Sequence, residues 1–157
     1  TLVDMDDVCI TNTNRQIHAL DGNIGKAKVD AMKERIQLIN PHCQVDCIED
    51  FITPDNLSEL LSEPFDYIID CIDSIKPKAA LVAWCKRNKR KLITVGGAGG
   101  QTDPTRIQIA DLSRTEKDFV VIITLAATRN VVLILNVFIP WNSLATHKEM
   151  ELYLNSD

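Results

Sequence analysis

The sequence has no excess of positive charge. Its 157 residues include 17 Lys and Arg against 22 Asp and Glu, a formal net charge of −5 with a pI near 5.2. That excludes the global basic footprint of many nucleic-acid-binding domains, but a local basic patch could still meet RNA. Paired-cysteine motifs are also lacking. Five Cys stand at 9, 43, 47, 71 and 85, and "CQVDC" is Cys-x3-Cys with no second pair to complete a zinc knuckle. Cys43 and Cys47 would share one strand face, too far apart along it for a bridge. Reduced thiols in a cytoplasmic protein are the expectation. No signal peptide opens the sequence. Position 1 already lies in an apolar, strand-like run, so an upstream segment is expected. His18 and His42 show no partner pattern.

What is present is globular. Hydrophobic residues make up 45% and charged residues 25%, enough for one domain with a sizeable core. Leu2 to Met5 reads as a short buried strand. Val29, Met32, Ile36 and Ile39, spaced three, four and three, mark one face of a helix that "NP" at 40–41 ends. "QVDCIED" alternates as a strand, with Val45, Cys47 and Glu49 on one side. Thr53 is the expected N-cap and Pro54 the first residue of a helix running to about Ser62. "DYIIDCID" reads as a strand buried in its middle. Pro77 falls in the first turn of the next helix, which turns Leu81, Trp84 and Cys85 inward and ends in "KRNKRK", cations suited to a helix C-terminus. "LITVGG" is a strand, "GGAGGQTDP" a glycine-rich turn and "RIQIADL" a further strand.

This alternation predicts a Rossmann-like α/β fold, a mainly parallel sheet flanked by helices. Ligands of such sheets lie at the carboxyl ends of the strands. Asp4, Asp70 and Asp73 fall at or just past such ends and are expected to share one rim. Asp4 can accept hydrogen bonds from both ribose hydroxyls of a nucleotide. Arg15 can fork onto a phosphate. Asn12 and Gln16 can donate amide N–H groups to phosphate oxygens. Lys28 can reach phosphate as a point charge, and Asp73 can hold Mg²⁺ through oxygen. Set against these are plainer expectations. Asp6, Asp7 and Asn14 would bond nearby backbone. Lys26 would be merely solvated. Asp70 could cap the next helix, and Cys71 would be a small buried hydrophobe.

Five segments carry a resemblance: "DMDDVCITNTNRQ", "GKAK", "INPHCQV", "DYIIDCIDS" and "ITVGGAGGQTDPTRIQIADLSRT". They resemble the ubiquitin-activating-type adenylating (ThiF/MoeB/HesA-like) family. "DSIKPKAALVAWCKRNK" and "GGAGGQTDPTRIQ" favour its bacterial tRNA threonylcarbamoyladenosine dehydratase branch. The resemblance implies an adenylation domain over 1–118, using ATP and Mg²⁺. A substrate carboxylate would attack the α-phosphate, giving an acyl-adenylate and pyrophosphate. In this branch the carboxylate is the threonyl one on a modified adenosine of tRNA, and ring closure then expels the activated oxygen, with net loss of water.

Asp4 resembles the family's ribose-binding Asp, and Asn12, Arg15 and Gln16 its phosphate-loop residues. Lys28 resembles the phosphate-steadying Lys and Asp73 the Mg²⁺-associated Asp. Arg15, Lys28 and Asp73 are thereby the implied catalytic residues. The family's first strand and glycine-rich loop would lie before Thr1. "IDS" stands where the wider family has an Asp-Asn pair. The resemblance further implies modified tRNA as substrate, a homodimer and a sulfur-transfer partner of the cysteine desulfurase system. Three alternatives stand beside it. One is an adenylyltransferase acting on a ubiquitin-like sulfur carrier, whose relatives commonly carry two Cys-x-x-Cys zinc pairs. The others are a nicotinamide-dependent oxidoreductase and a non-catalytic binding or dimer-forming remnant.

The segment 119–157 departs from the family pattern. "VVIITLAATRNVVLILNVFI" is long enough to span a bilayer. A central Arg costs about 2.5–3.5 kcal/mol, which offsets much of what its apolar residues contribute. Membrane association through 120–139, a core or interface element and a non-native end are all open readings.

Overall fold

A computed structural model describes residues 1–96. The turn "GAGGQTDP", the strand "RIQIADL" and the apolar tail expected from the sequence lie outside those residues. Within them the order is β1 (Leu2–Val3), a 3-10 turn (Ile10–Asn12), α1 (Lys28–Ile39), β2 (Cys47–Ile48), α2 (Leu57–Leu60), β3 (Ile68–Asp70), α3 (Ile75–Arg87) and β4 (Leu92–Thr94). Every strand pairing among them is parallel. β1 lies beside β2 in the register Leu2–Cys47, and β3 beside β4 in the register Ile68–Leu92. Parallel neighbours joined through a helix are the βαβ arrangement that the alternation predicted. Among the described residues the two strand pairs are not hydrogen-bonded to each other.

In the first unit, α1 starts at Lys28 and stops at Asn40, whose extended backbone before Pro41 cannot continue the helix. Its inner face holds Val29 and Ala31, with Met32 and Ile36 half-buried. Ile39 does not join them; it is 76% exposed, because the helix outruns the two-residue strands it covers. β1 is half-buried rather than buried. The small core here is Val8, Ala19 and Ala31.

The second unit has the larger core. Leu57, Leu61, Leu81 and Cys85 are buried together, with Ile52, Phe65, Ile68 and Leu92 packed against them. Burying one such Leu contributes about 1.5–3 kcal/mol. Helix α2 begins three residues later than its sequence suggests. Thr53 and Asn56 cap each other instead: Asn56 Oδ1 accepts from Thr53 N–H at 2.8 Å, and Thr53 Oγ1 accepts from Asn56 N–H at 3.3 Å. That exchange holds 54–56 in a turn, and Asn56 becomes the N-cap position. The middle of β3 is also not buried. Ile69 is 65% exposed while Asp70 is 1% exposed, since strand alternation turns Ile68 and Asp70 toward α3 and Ile69 away.

Candidate functional site

The loop after β1 is built around a backbone clamp. Residues 6–8 run antiparallel to 25–28: Val8 N–H donates to Lys26 O, Gly25 N–H to Val8 O and Lys28 N–H to Asp6 O. Gly25 has φ +83°, a left-handed conformation that costs a glycine little, and it lets the chain reverse into the clamp. The consequence is spatial. The segment just past β1 is held against the first turn of α1, where Asp6 meets Lys28 although 22 positions separate them in the sequence, and Asp4 lies two residues before that contact.

Asp4 Oδ1 accepts the Asp6 N–H at 2.9 Å, and Oδ2 has no partner among the described residues. Lys28 donates to Asp6 Oδ2 at 2.6 Å. Asp6 is therefore the counter-ion of Lys28 and not a residue that merely bonds local backbone. Lys26 is not merely solvated either; it pairs with Glu34 at 2.7 Å on the exposed side of α1. Asn12 is buried in the 3-10 turn, where its Oδ1 accepts the Cys9 N–H at 2.9 Å. Arg15 is exposed. Its Nη1 donates to Thr11 O at 2.8 Å and to Asn14 Oδ1 at 2.9 Å, which fixes one edge of the guanidinium and leaves the other edge open. Gln16 Oε1 is buried without a partner among the described residues.

His18, which no sequence pattern singles out, is 8% exposed, and neither ring nitrogen has a partner among the described residues. Its imidazole is held below the ordinary histidine range, first by burial and then by the nearby Lys28 charge, with Asp4 opposing and Arg35 adding to the effect. A neutral imidazole offers one donor and one acceptor to whatever enters. Cys9 is exposed, and its thiol is lowered, chiefly by the Thr11 hydroxyl, which donates to Sγ at 3.4 Å. No hydrogen bond or ion pair joins Arg15 to Asp4 or Lys28 among the described residues.

The β3 end is organised by a buried charge network. Lys78 Nζ donates to Asp70 Oδ2 at 2.7 Å and to Val95 O at 3.1 Å. Thr94 Oγ1 donates to the same carboxylate oxygen at 3.1 Å, and Ile72 N–H to the other at 2.9 Å. Both charged side chains are almost wholly buried. Asp70 is thus the partner of Lys78 and not the cap of α3, whose N-cap position is Ser74. The sequence did carry a signal for this. Lys78 lies three, four and seven residues before Leu81, Val82 and Cys85, on the inner face of the helix. The network braces the turn that presents Asp73, whose side chain is exposed and has no hydrogen-bond or ion-pair partner among the described residues. Cys71 is exposed, not a buried hydrophobe, and its thiol is raised by desolvation and then by the Asp70 charge. All five Cys are free.

The family model "ThiF family" matches residues 1–123. The chain belongs to the ThiF family. Its fold also matches solved ThiF-family relatives. The chain is similar to tRNA threonylcarbamoyladenosine dehydratase of Haemophilus influenzae, 61% identical over 118 residues, 75% of this chain and 45% of the relative. It is similar too to the crystal structure of E. coli tRNA N6-threonylcarbamoyladenosine dehydratase in complex with ATP, with TM-score 0.80 and 46% identity over 89% of this chain and 63% of that one. The same E. coli protein in complex with AMP gives TM-score 0.81 and 45% identity over 92% and 65%. This ThiF-family chain thus spans less than half the length of the curated relative and under two thirds of the crystallised ones.

Proposed function

We propose that this ThiF-family chain carries the adenylation domain, residues 1–118, of an ATP-dependent tRNA threonylcarbamoyladenosine dehydratase. The clamp carries the reading. It ties Asp6, whose N–H Asp4 Oδ1 accepts, to Lys28 at the first turn of α1, and the chain between them bears Asn12, Arg15 and Gln16. Asp4 Oδ2 would take the ribose hydroxyls. The open edge of Arg15 and the Lys28 ammonium would neutralise phosphate charge. ATP and a carboxylate repel each other, so reaction needs fixed cations where charge develops. Lys28 would leave Asp6 for phosphate, a short movement for a long side chain.

A Mg²⁺ ion fits Asp73 in one respect. Mg²⁺ keeps several waters and binds through one or two carboxylates plus phosphate oxygens, so a single exposed carboxylate suffices when the nucleotide supplies the rest. Among the described residues no group of three His, Cys, Asp or Glu could hold a metal without the nucleotide. When bound, the ion would supply charge neutralisation at the phosphates. A homodimer belongs to the same reading; Ile10, Ile17, Leu20 and Ile24 are all about half or more exposed along one loop and offer an apolar contact.

The test is AMP and pyrophosphate release by the purified chain with ATP and threonylcarbamoyl-modified tRNA, beside a parallel reaction with a ubiquitin-like sulfur-carrier protein. Turnover with the modified tRNA alone is expected. Arg15→Ala and Asp73→Ala should each lower it by two orders of magnitude or more, about 2.7 kcal/mol in the barrier, with unchanged thermal melts. Wild-type rates in either variant would remove that residue from the site. Turnover with the carrier alone would move the chain to the sulfur-carrier reading.

A further inference from the structure

The basic run "KRNKRK" has a use beyond ending a helix. Lys86, Arg87, Lys89, Arg90 and Lys91 are five of the chain's 17 Lys and Arg, packed into six residues of a protein with net charge −5. Dipole complementarity accounts for Lys86 and Arg87 in the last turn of α3. It does not account for Lys89, Arg90 and Lys91, which follow the helix. Lys26, Lys28 and Lys78 each have a carboxylate partner, whereas none of these five makes an ion pair among the described residues. Lys91 instead stands over the Tyr67 ring at 4.9 Å.

The run borders a groove of about 570 Å³ between α2 and the end of α3, lined by Ser58, Leu61, Ser62, Trp84, Arg87, Asn88 and Arg90. Among the described residues no carboxylate lines it. Trp84 is anchored there, its indole N–H donating to Ser58 Oγ at 3.1 Å.

The position of the groove matters. Helix α3 begins just past Asp73 and returns along the strands, and Ile68 N–H donates to Lys91 O, so the run lies at the amino ends of β3 and β4. Thirteen helical residues put it about 20 Å from the Asp73 end. A nucleotide at Asp73 cannot reach that far, but a folded RNA can.

We infer that this groove is a docking surface for the phosphodiester backbone of RNA, with Arg87 and Arg90 as its principal phosphate ligands. Arg forks match phosphate geometry, and Ser58, Ser62 and Asn88 add neutral donors. The inference deepens the proposed function, on which it rests for RNA as the substrate class.

The test is fluorescence anisotropy of the full chain with a labelled tRNA transcript, from about 50 to 200 mM salt. Arg87→Gln/Arg90→Gln is expected to bind at least tenfold more weakly at the low-salt end. Its plot of log K against log salt should be shallower by about 2, roughly 0.9 for each phosphate that is no longer neutralised. Arg87→Lys/Arg90→Lys should keep the wild-type slope. An unchanged slope and affinity in the Gln pair would overturn the inference, as would a Lys pair as impaired as the Gln pair, since packing and not charge would then be responsible. Polyglutamate competing as well as tRNA would overturn it too, in favour of an acidic protein partner. Turnover is read separately. Loss of tRNA binding in the Gln pair, with no AMP release by the wild type, keeps the surface and removes the proposed function. AMP release by the wild type with normal tRNA binding by the Gln pair does the reverse.

Discussion

The two βαβ-like units treat polar groups in opposite ways. In the second, the buried charges satisfy each other: Asp70, Lys78, Thr94 and two backbone groups form one closed network beside a leucine core. In the first, polar atoms are left open. Among the described residues, both His18 nitrogens, Gln16 Oε1 and Arg35 Nε are buried without partners, and the core there is Val8, Ala19 and Ala31. A buried polar group without a partner costs about 1–3 kcal/mol, so a domain tolerates several in one place chiefly where something else completes them. The comparison teaches a division of labour. One unit satisfies its buried charges internally, and the other leaves buried polar atoms without partners among the described residues.

The largest effect should come from opening the closed network. Lys78→Met leaves the Asp70 carboxylate buried without a counter-charge and is expected to cost about 3–5 kcal/mol in urea denaturation. Asp70→Leu/Lys78→Met should recover most of that loss, because replacing a whole buried pair by apolar groups is often neutral. A neutral Lys78→Met would break the comparison. Next in size is Asn12→Ala, which removes the acceptor of the Cys9 N–H and should cost about 1 kcal/mol by the same measurement. A larger loss in nucleotide binding than in stability would assign Asn12 to the ligand as well as to the loop.

The smallest effect is the pH dependence of His18. Its folded pKa lies below the ordinary value of 6.5, so the unfolded chain takes up a proton first as the pH falls. The stability contribution is therefore complete above about pH 6.5 and declines below it. The melting temperature is expected to drop between about pH 7.5 and 5.5, and His18→Gln should flatten part of that drop. Equal slopes in the two proteins would mean that the imidazole is not held neutral by its surroundings.

Local periodicity makes the helices legible. The 3,4,3 spacing from Val29 and the placement of Pro77 each locate a helix to within a residue or two, because those signals depend on neighbours along the chain. The candidate residues for a nucleotide site come from the ordered motif. The failures share a cause. Thr53 looks like a cap in the sequence, but its partner Asn56 is an equally local competitor, and reciprocal side-chain bonds win. Ile69 looks buried, but an apolar run does not say which face has a cover. Asp6, Lys26 and Asp70 look like local or solvated groups because their partners lie eight to 22 positions away.

By itself, then, the sequence determined the βα alternation, the family and the order of the chemistry-bearing side chains along the chain, all of which are properties of local pattern. Only the tertiary structure decided that Asp6 meets the start of α1, that Asp70 belongs to Lys78, and that His18 is shut away with no partner among the described residues. Those outcomes depend on which distant segments close on each other, and closure is decided by backbone pairing and burial across space, which no local spacing encodes.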